Sequence, residues 1–305
     1  MNGPNDTYTC RILSRVLISE NSQIFNSTLN LFSSGHQVKE IIFEMRPDLD
    51  LKFINNSINC VTQQNIQNVL APTSINTDTE VVIYNAIYCK GRFSESWFDL
   101  NISDDSDQEN EKNGSTLKGK KATESRLDVY VMEIPFKQNK ISTFFFFPSD
   151  SSRYKKNDCT ENEKIMQIIE QMTTEEGSQK LRNVLDCGVA ERSYMTFPIF
   201  KIEQSLRMYE LLDKLGLSEL TAYGSAILHE FSNKTLKLGD ALHRINIEVT
   251  MEGVTAAACD LFFSDNDCQH AKINDSTSDN LFPCICLIYD KCNRNILFCG
   301  ALFDS

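Results

Sequence analysis

Residues 241–260 read ALHRINIEVTMEGVTAAACD, and the second half of the stretch is the unusual part. A glycine and a β-branched pair lead into Ala256, Ala257, Ala258 and Cys259, close to the C-terminal end of the chain. Small side chains bring little to a core. A run of them marks a backbone that must fit somewhere tight or be free to move.

The rest of the chain sets the frame. Its 305 residues are 41% hydrophobic and 24% charged, the composition of a folded protein with room for a sizeable core. Lys and Arg number 30 against 42 Asp and Glu, and the net charge of -12 repels nucleic-acid backbones and anionic membrane surfaces. Apolar runs such as Phe144 to Phe147 fall far short of the roughly 20 residues that cross a bilayer. Neither nucleic acid nor membrane is an expected partner. The opening MNGPNDTYTC has neither the basic start nor the apolar stretch of a secretory signal, so the chain as given reads as cytoplasmic. Asn5, Asn26, Asn55, Asn101, Asn113, Asn233 and Asn274 each begin an N-x-Ser/Thr sequon, which matters only for a secreted glycoprotein.

Eleven cysteines, an odd number without the short, even spacing of a disulfide scaffold, read as free thiols. Cys284 and Cys286 alternate within PCICLIY and so share one face of a strand as small buried hydrophobes. With Cys292 and Cys299 they are the closest set, but no CxxC pair is present, and neither a metal nor a cofactor is expected.

Several segments are strand-like: EVVIYNAIY (80–88), VYVMEIPF (129–136), ISTFFFFP (141–148), MTFPIFKIE (195–203) and NILFCGALF (295–303). KQNK (137–140) reads as a hairpin turn between the second and third. Ile54, Ile58, Val61, Ile66, Val69 and Leu70 recur at helical spacing, as do the apolar residues of EKIMQIIEQM and of SLRMYELLDKLGL, the last stopping near Gly216. Residues 103–125 contain almost nothing to bury and read as a solvated loop. Helices and strands separated by loops of varied length indicate one α+β domain over 1–305.

The order of these motifs resembles one family, the serpins. VVIYNAIYCKGRF (81–93) is similar to the strand and Lys-Gly turn of their main sheet, and YVMEIPFKQNKISTFFFFPSD (130–150) to a hairpin ending in proline and an acidic residue. FPIFKIEQSLRMYELLDKLGLSEL (197–220), ALHRINIEVTMEGVTAAA (241–258) and NRNILFCGAL (293–302) match later segments in the same order. The resemblance implies a large mixed central sheet, smaller sheets, surrounding helices and an exposed reactive loop over 253–280. It also implies a serine protease inhibitor, extracellular if residues precede Met1, and not an enzyme.

In such a protein a protease attacks the loop, forms an acyl-enzyme, and is carried across the molecule as the loop enters the sheet. The resemblance makes Glu252, Gly253, Val254, Thr255, Ala256, Ala257, Ala258 and Cys259 the hinge. Counting along the usual loop length places the cleaved bond between Asp267 and Cys268, with Asp265 and its neighbours as alternatives. An acidic residue before the cut selects a protease with a basic pocket, such as a granzyme-like serine protease or a caspase-like cysteine protease, acting on a monomer. Asn85 and His243 take the family's role of a hydrogen bond where the sheet opens. No nucleophile, base and orienting group can be assembled from Cys268, His270, His36 and His229.

Two departures favour the alternative, a non-inhibitory binding protein with a static or substrate-like loop. No residues precede YTCRILSRVLIS (8–19) that would form the family's first helices, which leaves the underside near Asn85 and His243 exposed or differently packed. Val254, Ala256, Ala258, Asp260 and Phe262 share the face that the resemblance buries, so an unpaired Asp260 resists insertion. A third departure compensates itself: Met251 and Ile199 replace both ends of a family ion pair, an exchange that can be neutral or stabilising and that fits a maintained fold. Phe93 stands where the family has tryptophan, with Trp97 four residues on.

Overall fold

The computed structural model describes residues 8–19, 38–43, 46–72, 74–76, 79–94, 116–124, 129–149, 159–189, 192–196, 199–217, 240–263, 276–277 and 283–303. Along the chain, β1 (Tyr8–Ser19) and β2 (Val38–Phe43) precede helix α1 (Pro47–Val61), and β3 (Val81–Arg92) follows. Then come β4 (Thr116–Glu124), β5 (Val129–Pro135), β6 (Ile141–Pro148) and the helices α2 (Glu161–Thr173) and α3 (Glu175–Cys187). After β7 (Arg192–Thr196), β8 (Phe200–Arg207) and the short α4 (Met208–Lys214), the chain closes with β9 (Asp240–Val249), β10 (Gly253–Phe263), β11 (Ser276–Thr277), β12 (Cys284–Asp290) and β13 (Asn295–Leu302).

These strands form a seven-stranded sheet of order β11-β8-β9-β10-β3-β1-β2 and a six-stranded sheet of order β13-β12-β6-β5-β4-β7. Neighbours run antiparallel except β1 and β2, which makes the larger sheet mixed as expected. The phenylalanine run shows how the layers share residues. Side chains alternate along β6, so Phe144 and Phe146 join Ile165, Ile168 and Leu185 under α2 and α3, while Phe145 enters the core between the two sheets. A strand covered on both faces reads as a continuous apolar run, which is why FFFF is tolerated here. The opposite face of the larger sheet is covered by α1, with Ile54 and Ile58 on Tyr84 and Ala86.

Local chemistry explains several boundaries. Thr160 caps α2 reciprocally: its hydroxyl accepts from Glu163 N at 3.2 Å while Glu163 Oε2 accepts from Thr160 N at 2.7 Å. The turn between β5 and β6 places Gln138 and Asn139 in the left-handed region, φ 77° and 55°.

Three expectations are corrected. The helical spacing through Leu70 outlasts the helix: α1 ends at Val61, and Gln63, Gln64 and Asn68 have positive φ. Ile66, Val69 and Leu70 still dock on the same core because the return segment is fastened to the helix. Asn55 Nδ2 donates to Leu70 O at 3.1 Å, and Leu70 N donates to Asn55 Oδ1 at 3.0 Å. These two hydrogen bonds also occupy the amide of one predicted sequon. Second, 116–124 is a strand although its sequence is polar, because β5 and β7 pair with it on both sides. Third, MTFPIFKIE is divided between β7 and β8 in different sheets, and pairing with β9 holds 205–207 extended, leaving only 208–214 for α4.

β5 carries one charged group into the interior. Glu133 is fully buried, and its carboxylate accepts from Lys291 Nζ, from Ser142 Oγ at 2.9 Å and from Val189 N at 2.8 Å. Gly188, at φ 68°, permits the last contact, since a Cβ there would sit 2.6 Å from Glu133 Oε2. Burial pushes the Glu133 carboxyl up, but the bonds from Lys291, Val189 and Ser142 outweigh it and hold it below the usual glutamate range. A depressed folded value means stability that is present above about pH 4.3 and lost as pH falls through the folded value. Glu133→Gln, which leaves Lys291 without its charge partner, is expected to lower unfolding free energy by about 3 kcal/mol at neutral pH. Urea unfolding of both proteins at neutral pH and at pH 3 checks this, and the difference should shrink at the lower pH.

Candidate functional site

The small residues of 256–259 lie in the middle of the larger sheet. β10 runs between β3 and β9, antiparallel to both, with Gly253 opposite Arg92 and Phe263 opposite both Val82 and Asp240. The link from β9 is a tight turn in which Thr250 N donates to Gly253 O at 2.9 Å and Glu252 N donates to Thr250 Oγ1 at 3.3 Å. Phe93 N donates to Glu252 O at 3.0 Å, tying the turn to the end of β3. Gly253 has no alternative at this point, because a Cβ would lie 2.1 Å from Gly91 O. Phe93 itself is buried against Phe136, with ring centroids 5.9 Å apart.

Both faces of β10 are covered, and this explains why four small residues follow one another without alternating with large ones. Ala257, Cys259, Leu261 and Phe263 face α1 and are 0–1% exposed. Val254, Ala256 and Ala258 face the smaller sheet, meeting the core that contains Met132, Phe145 and Ile288. The buried face is therefore not the one set that begins at Val254. Burial pushes the Cys259 thiol up to about 12, so it behaves as a small apolar group.

Past Ala258 the second face opens. Asp260 and Phe262 are only half-buried, as are Asn85 and Ile83 beside them on β3. Asp260 stands opposite both Asn85 and His243, and its Oδ1 lies 2.6 Å from His243 Nδ1. The Asp260 side chain is 38% exposed and that of His243 28%. The expectation of an unpaired, buried carboxylate is overturned: Asp260 keeps water and gains a partner. Asn85 and His243 are brought onto the same lateral row, but β10 separates them, and His243 bonds Asp260 in place of Asn85. Sequence reasoning missed this pair, although a tight link closing Val249 on Val254 fixes the register that sets 260 opposite 243.

Met251 packs against the core between the sheets, while Ile199 is 43% exposed, so the two residues that replace the family's ion pair share no burial. Cys284 and Cys286 are buried in β12, the first with its thiol pushed by burial to about 12 and the second well above its ordinary value, whereas Cys292 and Cys299 are exposed. Among the described residues, no three His, Cys, Asp or Glu side chains are grouped to hold a metal ion. No described helix is long and apolar enough to cross a membrane. Asp265, Asp267, Cys268, Trp97, His36, His229 and His270 lie outside the described residues.

The comparisons agree with this architecture. A loop-inserted structure of a cleaved ovalbumin mutant superposes with a TM-score of 0.69 at 21% identity, covering 98% of this chain and 75% of that one. Serine protease inhibitor 88Ea of Drosophila melanogaster is 24% identical over 287 residues, 88% of this chain and 65% of the relative. Ovalbumin of Dromaius novaehollandiae is 22% identical over 261 residues, 82% of this chain and 64% of the relative. The chain thus spans somewhat under two thirds of the length of these two relatives. The family model described as Serpin (serine protease inhibitor) matches residues 1–305, and with the central strand β10 in place between β3 and β9 the chain belongs to the serpin family.

Proposed function

We propose that this chain is an endopeptidase inhibitor of the serpin type, a cleavable pseudo-substrate and not a catalyst, which traps its protease by carrying the loop into the sheet. The observation that carries the reading is the fit of Gly253–Phe263 between β3 and β9, with both ladders complete and Asp260 bonded to His243. Cleavage is proposed after Asp267, before Cys268, four residues beyond the end of the paired strand. Glu252 to Cys259 serve as the hinge. Before insertion Asn85 and His243 meet directly, and Asp260 replaces Asn85 as the partner of His243 when β10 enters. The target is a serine protease, or a caspase-like cysteine protease, that accepts aspartate, and the inhibitor acts as a monomer.

A second reading is favoured by one feature. β10 occupies the sheet within an uncut chain, and β11 pairs with the far edge at β8. A loop already inserted offers no bait, and the protein would then be a serpin-fold binding protein with a static or substrate-like loop. Incubation with serine and caspase-type proteases that cut after aspartate, followed by denaturing electrophoresis and mass spectrometry, separates the two. A denaturant-stable adduct with a cut after Asp267 is expected. Clean cleavage without adduct, or none, selects the second reading.

The same fit yields a mutational contrast. Ala257→Phe places a large ring against α1 where Ala257 is fully buried, and overpacking of this kind destabilises the inserted form by about 2 kcal/mol or more. Adduct yield should fall and released, cleaved chain should rise. Asp260→Ala removes only a half-exposed pair, worth under about 1 kcal/mol, and should leave the gel pattern close to that of the parent.

A further inference from the structure

A cavity of about 290 Å³ lies between the turn after α1 and strands β8 and β9, lined by Gln64, Asn65, Gln67, Glu203, Arg244 and Asn246 among others. The turn reaches β9 through two bonds: Arg244 Nη1 donates to Gln67 O at 2.8 Å and Asn246 Nδ2 donates to Asn65 O at 3.2 Å. Arg244 is only 7% exposed. Its Nε and Nη2 are buried and have no hydrogen-bond partner among the described residues.

The neighbouring acids give these two donors no hydrogen bond, and Glu203 acts on Arg244 only as a nearby charge. Glu203 Oε1 accepts from Asn246 Nδ2 at 2.9 Å and lies 3.2 Å from Lys201 Nζ. Cys259, directly opposite Arg244 on β10, is held as the neutral thiol by burial. Asp260 is bonded to His243 in the adjacent row. A guanidinium that stays charged and is cut off from water calls for an anion, and an edge presenting Nε–H and Nη2–H together matches the two oxygens of a carboxylate.

We propose that Arg244 and the 64–67 turn form a binding site for a small carboxylate, admitted from this cavity and held side-on by Nε and Nη2 once the turn gives way to expose them. A planar monoanion is preferred to a phosphate dianion because Glu203 lines the same space. None of the residues lining the site belongs to the hinge or the cleaved bond.

Sodium acetate and inorganic phosphate would be titrated separately into the purified full chain at constant ionic strength made up with chloride. Calorimetry and the Nε–H signal of Arg244 in a nitrogen-edited NMR spectrum follow the binding. Saturable acetate binding, weaker binding of phosphate and a shift of the Arg244 signal are expected. Arg244→Gln should weaken acetate binding by roughly tenfold or more. Glu203→Gln, which keeps an oxygen for Asn246 and removes a like charge, should tighten it by about threefold. If Arg244→Gln does not fold, Glu203→Gln decides alone. Absence of saturable acetate binding overturns the proposal, as does an affinity unchanged in the variants or a preference for phosphate.

Discussion

A strand in the middle of a sheet that is covered on both faces has no free direction. β10 meets backbone on two sides, α1 on one face and the smaller sheet on the other. Alternation, the ordinary way for a strand to put bulk on one face and polarity on the other, is not open to it over Val254 to Cys259. The run of alanines is the answer to that geometry. Gly253 is its extreme case, where even a methyl group would strike the carbonyl of Gly91. The rest of the larger sheet, including the tight link from β9 and the seating of Phe93 over the turn, is arranged around this narrow slot.

The cover is uneven, and its edge falls within the strand. The smaller sheet reaches Ala258 but not Asp260, so the same strand passes from a dry interior to a half-wet surface in two residues. Polarity changes at that point. Asp260, His243 and Asn85 form a lateral polar row where a hydrophobic row would face water. Leu261 and Phe263, still under α1, remain fully apolar. One strand therefore carries two patterns: small and buried on both faces over Ala256 to Cys259, amphipathic beyond them.

Much of this was legible in the residues. The strands of 81–92, 129–135, 141–148 and 295–302 declare themselves by β-branched and aromatic content, and helix 161–173 by its period. The polar strand 116–124 was not legible, because its existence rests on neighbours from distant parts of the chain. Nor was the end of α1, where Ile66, Val69 and Leu70 keep a helical spacing while serving as buried anchors of a non-helical return. The fate of Asp260 failed for a more instructive reason: its face was assigned correctly, but burial depends on how far a second sheet extends, and no local pattern encodes that length.

The pair of hydrogen bonds between the Asn55 side chain and the Leu70 backbone makes α1 and its return segment a closed strap, and the strap crosses β10. It is fastened on one side through the packing of Ile54 and Ile58 on Tyr84 and on the other through the bonds from Arg244 and Asn246 of β9. The strap lies across one face of β10 and ties β3 to β9, so it sets the width of the slot between them. On the proposed insertion, two main-chain carbonyls, those of Asn65 and Gln67, hold one wall of that slot from a turn that carries neither hinge nor bait.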